Sequence, residues 1–100
     1  NLSGDDYYLD FETIRKNNGY VYYWYLSNYL EPSKTGGYLS GRMYHKGDCK
    51  LFGFKYLSYI FNKGPMGTGT EYISEPDDKN WHYPPPNSVI GIVLKKVCAQ

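Results

Sequence analysis

Short runs rich in hydrophobic and aromatic residues, divided by turn formers at fairly regular intervals, give this chain the pattern of an antiparallel sheet. "YYLD", Tyr7 to Asp10, reads as a first short strand. "FETIRKNNG" follows with a polar, turn-like texture that has room for one helical turn, and Asn17-Asn18-Gly19 tolerates positive φ, so a hairpin is expected there. "YVYYWYLSNYL", Tyr20 to Leu30, is dominated by aromatic and β-branched residues, with no glycine or proline, and is the clearest strand. Its two sides, Val21/Tyr23/Tyr25 and Tyr22/Trp24/Leu26, are both apolar, which predicts a central strand with something packed on each face. "EPSKTGG" breaks it, and strands are expected over Tyr38–His45, Leu51–Phe61 and Thr70–Ser74. Gly41 and Gly53 inside these runs suggest bulges or bends, hence a curved sheet.

The C-terminal segment changes period. "YPPP", Tyr83 to Pro86, holds the chain extended, and Asn87 or Ser88 can cap a helix. Val89, Ile90, Val93, Leu94 and Val97 then form an apolar stripe of helical spacing, with Lys95 and Lys96 in the last turn, where cations suit the helix dipole. Gly91 costs roughly 1 kcal/mol relative to alanine, so tertiary packing must hold this short helix in place. The expected fold is α+β: a curved antiparallel sheet of about five to six strands with a C-terminal helix packed on it. One hundred residues make a single domain, 1–100.

Composition narrows the function classes. Eleven basic residues against ten acidic ones give a formal charge of +1, far from the basicity that a phosphate backbone demands, so nucleic acid is not an expected partner. The longest apolar run, "VIGIVL" at Val89 to Leu94, falls far short of the roughly 20 residues that span a bilayer. The chain opens at Asn1 rather than Met, which leaves room for an upstream signal peptide that the sequence itself does not display. "NLS" at Asn1 to Ser3 fits a glycosylation sequon, but at so extreme a position it reads as chance.

Candidate chemistry is sparse. Cys49 precedes the long Leu51–Phe61 strand and Cys98 ends the helix, so a bond between them would staple helix to sheet and, by loop entropy, stabilise by roughly 4 kcal/mol. Two buried thiols, or metal ligation together with His45 and His82, remain the alternatives. Along a strand His45 and Cys49 would lie roughly 13 Å apart, too far for one ion, so no metal is expected. No serine sits in a nucleophile elbow. His82, between Trp81 and Tyr83, reads as packing or surface unless an acidic partner meets it in a cleft. The acidic groups Asp5/Asp6/Asp10/Glu12 and Glu75/Asp77/Asp78 lack calcium-loop spacing and read as solvated turns. "GPMGTG", Gly64 to Gly69, is followed by neither a lysine nor a helix, so it reads as a hairpin connection with Met66 tucked onto the sheet, not a phosphate loop. Neither an enzyme nor a cofactor is expected.

The aromatic content says more. Aromatic residues make up 19% of the chain, and thirteen tyrosines exceed what a core of this size buries, because each hydroxyl wants a polar partner. Some must face solvent. Together with Arg42, Lys46, Lys50 and Lys55 around the first cysteine they form a candidate protein-binding face, set against the simpler reading of ordinary strand residues facing water.

The order of "DDYYLDFETI", "GYVYYWYLSNY", "DCK", "GPMGTG" and "WHYPPPNSV" running into "LKKVC", from about Asp5 to Cys98, resembles the surface-adhesin protein E family. Pro86-Asn87-Ser88 stands where that family often has Pro-Gly-Ser, a difference confined to a helix cap. The resemblance implies an antiparallel sheet with a packed C-terminal helix, a Cys49–Cys98 disulfide and an extracytoplasmic location in the periplasm, at the cell surface or secreted. It further implies a non-enzymatic homodimer that binds host extracellular-matrix or serum proteins. It carries over the two cysteines but no binding residue. The competing expectation is a periplasmic small-ligand carrier, or a structural domain, with an apolar pocket between sheet and helix lined by Trp24, Phe54 and Val93.

Overall fold

The computed structural model describes residues 5–100, so the Asn1–Ser3 triplet lies outside the described residues. Strands β1 (Asp6–Leu9), β2 (Arg15–Asn17), β3 (Tyr20–Asn28), β4 (Ser40–Asp48), β5 (Gly53–Asn62) and β6 (Glu71–Ser74) form one antiparallel sheet, and helix α1 (Val89–Cys98) closes the chain. The order across the sheet is β1-β3-β4-β5-β6, with β2 also on the outer edge of β3. β1 pairs with Tyr25 to Asn28 and β2 with Tyr20 to Tyr22, so the two lie end to end along β3. A 3-10 turn over Phe11–Thr13 separates them, and the Asp10 carboxylate caps it by accepting from the Glu12 amide at 3.0 Å. Asn18 and Gly19 carry φ of 52° and 81° between paired Asn17 and Tyr20, the two left-handed residues that a tight hairpin of this hand requires.

Burial alternates along β3. Val21, Tyr23, Tyr25 and Ser27 are buried, while Tyr20, Tyr22, Trp24 and Leu26 remain half-exposed. The strand is central in its pairing, but only its Val21/Tyr23/Tyr25 side is covered, contrary to the expectation of layers on both faces. One helix supplies one layer, and the outward aromatic rings satisfy themselves by stacking on each other. Val93, Leu94 and Val97 of α1 complete the core with Val21, Tyr23 and Tyr25, each aliphatic side chain contributing about 1.5–3 kcal/mol by burial. The helix sits directly on Gly47, where an added Cβ would come within 2.8 Å of Leu94 and 2.9 Å of Val21.

Two further devices hold the helix. Ser88 Oγ accepts the Gly91 amide at 3.1 Å and donates to the Pro85 carbonyl at 2.7 Å, tying the first turn to the proline segment. At the other end Cys98 is bonded to Cys49, with Cα atoms 5.6 Å apart. That bond disposes of the free-thiol and thiolate-metal alternatives, since neither sulfur is free.

The glycines serve close approach rather than bulges. A Cβ on Gly41 would meet the Tyr29 hydroxyl at 2.8 Å, and one on Gly53 the Tyr83 ring at 2.9 Å. The irregularity lies instead at Leu57, where the β4–β5 register slips between the pairs Tyr44↔Ser58 and His45↔Tyr56. "GPMGTG" does join β5 to β6, but Met66, at φ 52°, is 49% exposed and plugs nothing. The loop is fastened by its backbone: Gly67 N donates to Ser40 Oγ at 2.9 Å, and Met66 N to Asn28 Oδ1 at 2.8 Å.

The pocket expected between sheet and helix is not formed by the residues named for it. The three lie apart: Trp24 lines a cleft on the open face, and Val93, although a core residue, lines a separate groove between β1 and α1. Phe54 does line a cavity, placed beside the start of α1 rather than beneath the helix.

Candidate functional site

Alternation sends every second residue of β3, β4 and β5 to the open face. Tyr22 lies opposite Lys46, Trp24 opposite Tyr44 and Leu26 opposite Arg42, while across the next pair Lys46 faces Lys55 and Arg42 faces Ile60. The rings stack: Trp24 and Tyr44 centroids are 4.7 Å apart, nearly parallel, and Tyr22 lies 6.5 Å from Tyr44.

A long-range contact completes this face. Phe54 and His82 exchange both backbone hydrogen bonds, each 2.9 Å, pinning the segment after β6 alongside β5. Trp81 then stacks on Tyr20 at 5.5 Å. The Lys46 ammonium sits 4.2 Å from the Tyr20 centroid and 5.9 Å from that of Trp81, and the Lys55 ammonium 5.0 Å from Trp81. Each contact is worth about 0.5–1 kcal/mol at an exposed site. Like charges directly opposite on a sheet oppose folding, yet among the described residues neither lysine forms an ion pair. The ring faces offset part of that repulsion and leave the outer side of both ammonium groups available to an acidic partner.

The four basic residues singled out from sequence are therefore not equivalent. Lys46 and Lys55 converge on Trp81. Arg42 shares their face farther along β4, but its guanidinium is paired with Glu71. Lys50 is exposed in the turn after β4, where its amide donates to Asp48 at 3.0 Å. Sequence reasoning missed Tyr20 and Trp81 as members of the site, because the residues that hold Lys46 are up to 35 positions away and no local pattern joins them.

The histidines part company. His45 is fully buried on the inner face, stacked on Phe54 at 4.8 Å and edge-on to Tyr23, Tyr25 and Tyr56. Burial, aided by nearby His82, pulls its pKa down to about 3, so the ring is neutral. His82 Nε2 lies 2.9 Å from Asp78 Oδ2, so an acidic partner does meet it at the cavity edge. That carboxylate also accepts the Tyr56 amide at 2.9 Å, which gives it a structural task. Among the described residues no serine, threonine or cysteine is hydrogen-bonded to His82, so the nucleophile of an activated pair is not assembled. No group of three or more potential metal ligands occurs among the described residues either.

A six-stranded antiparallel sheet with one C-terminal helix fastened by a single disulfide defines the class: a small α+β domain with one covered and one open, aromatic-basic face. The chain belongs to the surface-adhesin protein E family, which it matches over residues 1–99. Its fold is that of Haemophilus influenzae protein E. Crystal form II of that protein gives a TM-score of 0.66 at 21% identity, covering 93% of this chain and 80% of the other. Its selenomethionine form gives 0.64 at 21% identity over 93% and 78%, and protein E from a non-typeable strain 0.59 at 19% over 96% and 71%. No curated protein matches the chain. Membership in a family of surface adhesins implies an extracytoplasmic protein, and no helix among the described residues is long and apolar enough to cross a membrane.

Proposed function

We propose that this chain is a non-enzymatic adhesin domain, secreted or displayed at the cell surface or in the periplasm, that binds extracellular-matrix or serum proteins through the open face of its sheet. The observation that carries the reading is the Lys46–Lys55 pair, held over Trp81 and Tyr20 with no carboxylate to neutralise it among the described residues. Flat aromatic area next to unneutralised cations is the composition of a binding patch for an acidic protein surface. Lys50 extends the positive field beyond the strand end, and Arg42 contributes mainly its stem, because Glu71 holds its charge.

Immobilised matrix and serum proteins should retain the wild-type chain in a salt-sensitive way. Reversing Lys46→Glu together with Lys55→Glu should weaken retention at least about tenfold, the scale of losing desolvated charge contacts, with Lys50→Glu weaker in effect. Unchanged retention removes this face from the reading. Homodimerisation is part of the same proposal, and β6 is the edge suited to it: Tyr72 and Ile73 are 55% and 56% exposed and its outer side has no strand neighbour among the described residues. Sedimentation at rising concentration tests it, and a Tyr72→Lys variant should favour the monomer.

A further inference from the structure

On the opposite face from the lysines, a cavity of about 590 Å³ opens beside the start of α1, within the size range of ligand sites. Tyr7, Tyr25 and Tyr29 form its sheet-side wall, and Pro84, Pro85 and Val89 the wall across from them. Tyr25 is only 6% exposed, yet its hydroxyl has no hydrogen-bond partner among the described residues, and the same holds for the hydroxyls of Tyr7 and Tyr29. Tyr7 and Tyr29 are half-buried, and three phenols along one wall offer hydroxyl donors to an occupant of a cavity that is otherwise mainly apolar.

The charge around this row selects the ligand. No lysine or arginine lines the cavity. The ionised group acting on Tyr29 is Asp5, and Asp78 sits at the other end against His82. An anion would be repelled there. A neutral ligand rich in acceptors, poor in donors and apolar in its bulk fits, and so does an elongated one, because the cavity is open to solvent rather than enclosed. A polyproline II segment has these properties: its carbonyls are free of internal hydrogen bonds, its prolines have no N–H to satisfy, and its rings pack between aromatic ridges.

We propose that this cavity is a docking site for a proline-rich, polyproline II segment of a partner protein, with Tyr7, Tyr25 and Tyr29 donating to its carbonyls. The site lies on the other face of the sheet from Lys46 and Lys55 and does not depend on them.

Titration of 15N-labelled protein with decaproline tests it, alongside a glycine–serine peptide of equal length and octanoate as a small amphiphile. Decaproline should shift, saturably, amides of residues 25–29 and 87–90, and the other two probes should not. Tyr29→Phe and Tyr7→Phe, which remove a hydroxyl and keep the ring, should each weaken binding about two- to tenfold. Lys46→Glu with Lys55→Glu should leave it unchanged even though adhesin-type retention is lost. Three outcomes overturn the proposal: no saturable shifts with decaproline, shifts from octanoate alone, or full affinity in both phenylalanine variants.

Discussion

His45 sits among four aromatic rings, with its Nε2 unpartnered and its ring held neutral down to about pH 3. In the unfolded chain the same imidazole titrates near 6.5. Below that value the unfolded state takes up a proton that the folded state refuses, so stability falls as pH drops from about 6.5 towards 3, by at most about 1.4 kcal/mol per pH unit. Urea denaturation at pH 4 and pH 7 measures this. His45→Phe should flatten the acid limb while leaving neutral-pH stability within about 1.5 kcal/mol, since the ring is replaced by one of similar shape; an unchanged acid limb would place the loss elsewhere. None of this was legible locally. In the sequence His45 followed Tyr44 and preceded Lys46, and only its inward turn beside Phe54 and Tyr56 made it a core residue.

Gly91 and the disulfide decide the helix as an element. In an exposed helix Gly→Ala stabilises by about 1 kcal/mol, but here the added methyl would stand 2.2 Å from the Pro85 carbonyl oxygen. Gly91→Ala should therefore lower the melting temperature, and a rise would show that the proline segment yields without cost. Removing both sulfurs with Cys49→Ser and Cys98→Ser frees a loop of 49 residues, a loss of about 4 kcal/mol in the loop-entropy account. Thermal melts should show it, with the helical circular-dichroism signal lost at or below the temperature at which the sheet melts. The helix, its Ser88 cap and the staple could all be read in the chain, because period, cap chemistry and cysteine count are local or countable signals. β2 could not: Arg15, Lys16 and Asn17 are polar and fully on the surface, and they become a strand only because Tyr20 to Tyr22 fold back beside them. β4 ran on to Asp48, past the expected end at His45, because Gly47 is there to admit Leu94 rather than to stop the strand.

At the scale of the molecule, one helix covers one face and the described residues form no second layer on the other, so the aromatic positions of β3 that look like core in sequence become an accessible surface. This is why most of the strands and the helix were legible while the sidedness of β3 was not, and the site was only half so. Lys46 and Lys55 could be named from their strands, but their grouping depends on Trp81 being carried back by the Phe54–His82 pairing. Salt dependence belongs to this scale: retention on protein partners should decline steadily between low and physiological ionic strength, because the ammonium groups are half-exposed and screenable. Retention insensitive to salt would shift the account toward the purely apolar part of the surface.

Lysine footprinting tests the adhesin reading most directly. Brief acetylation of the chain, free and bound to a retained matrix or serum protein, followed by mass spectrometry, reports the reactivity of each lysine. The account predicts strong protection of Lys46 and Lys55, partial protection of Lys50, and unchanged reactivity at Lys95 and Lys96 on the exposed side of α1. Protection at Lys95 and Lys96 with Lys46 and Lys55 still reactive would contradict it.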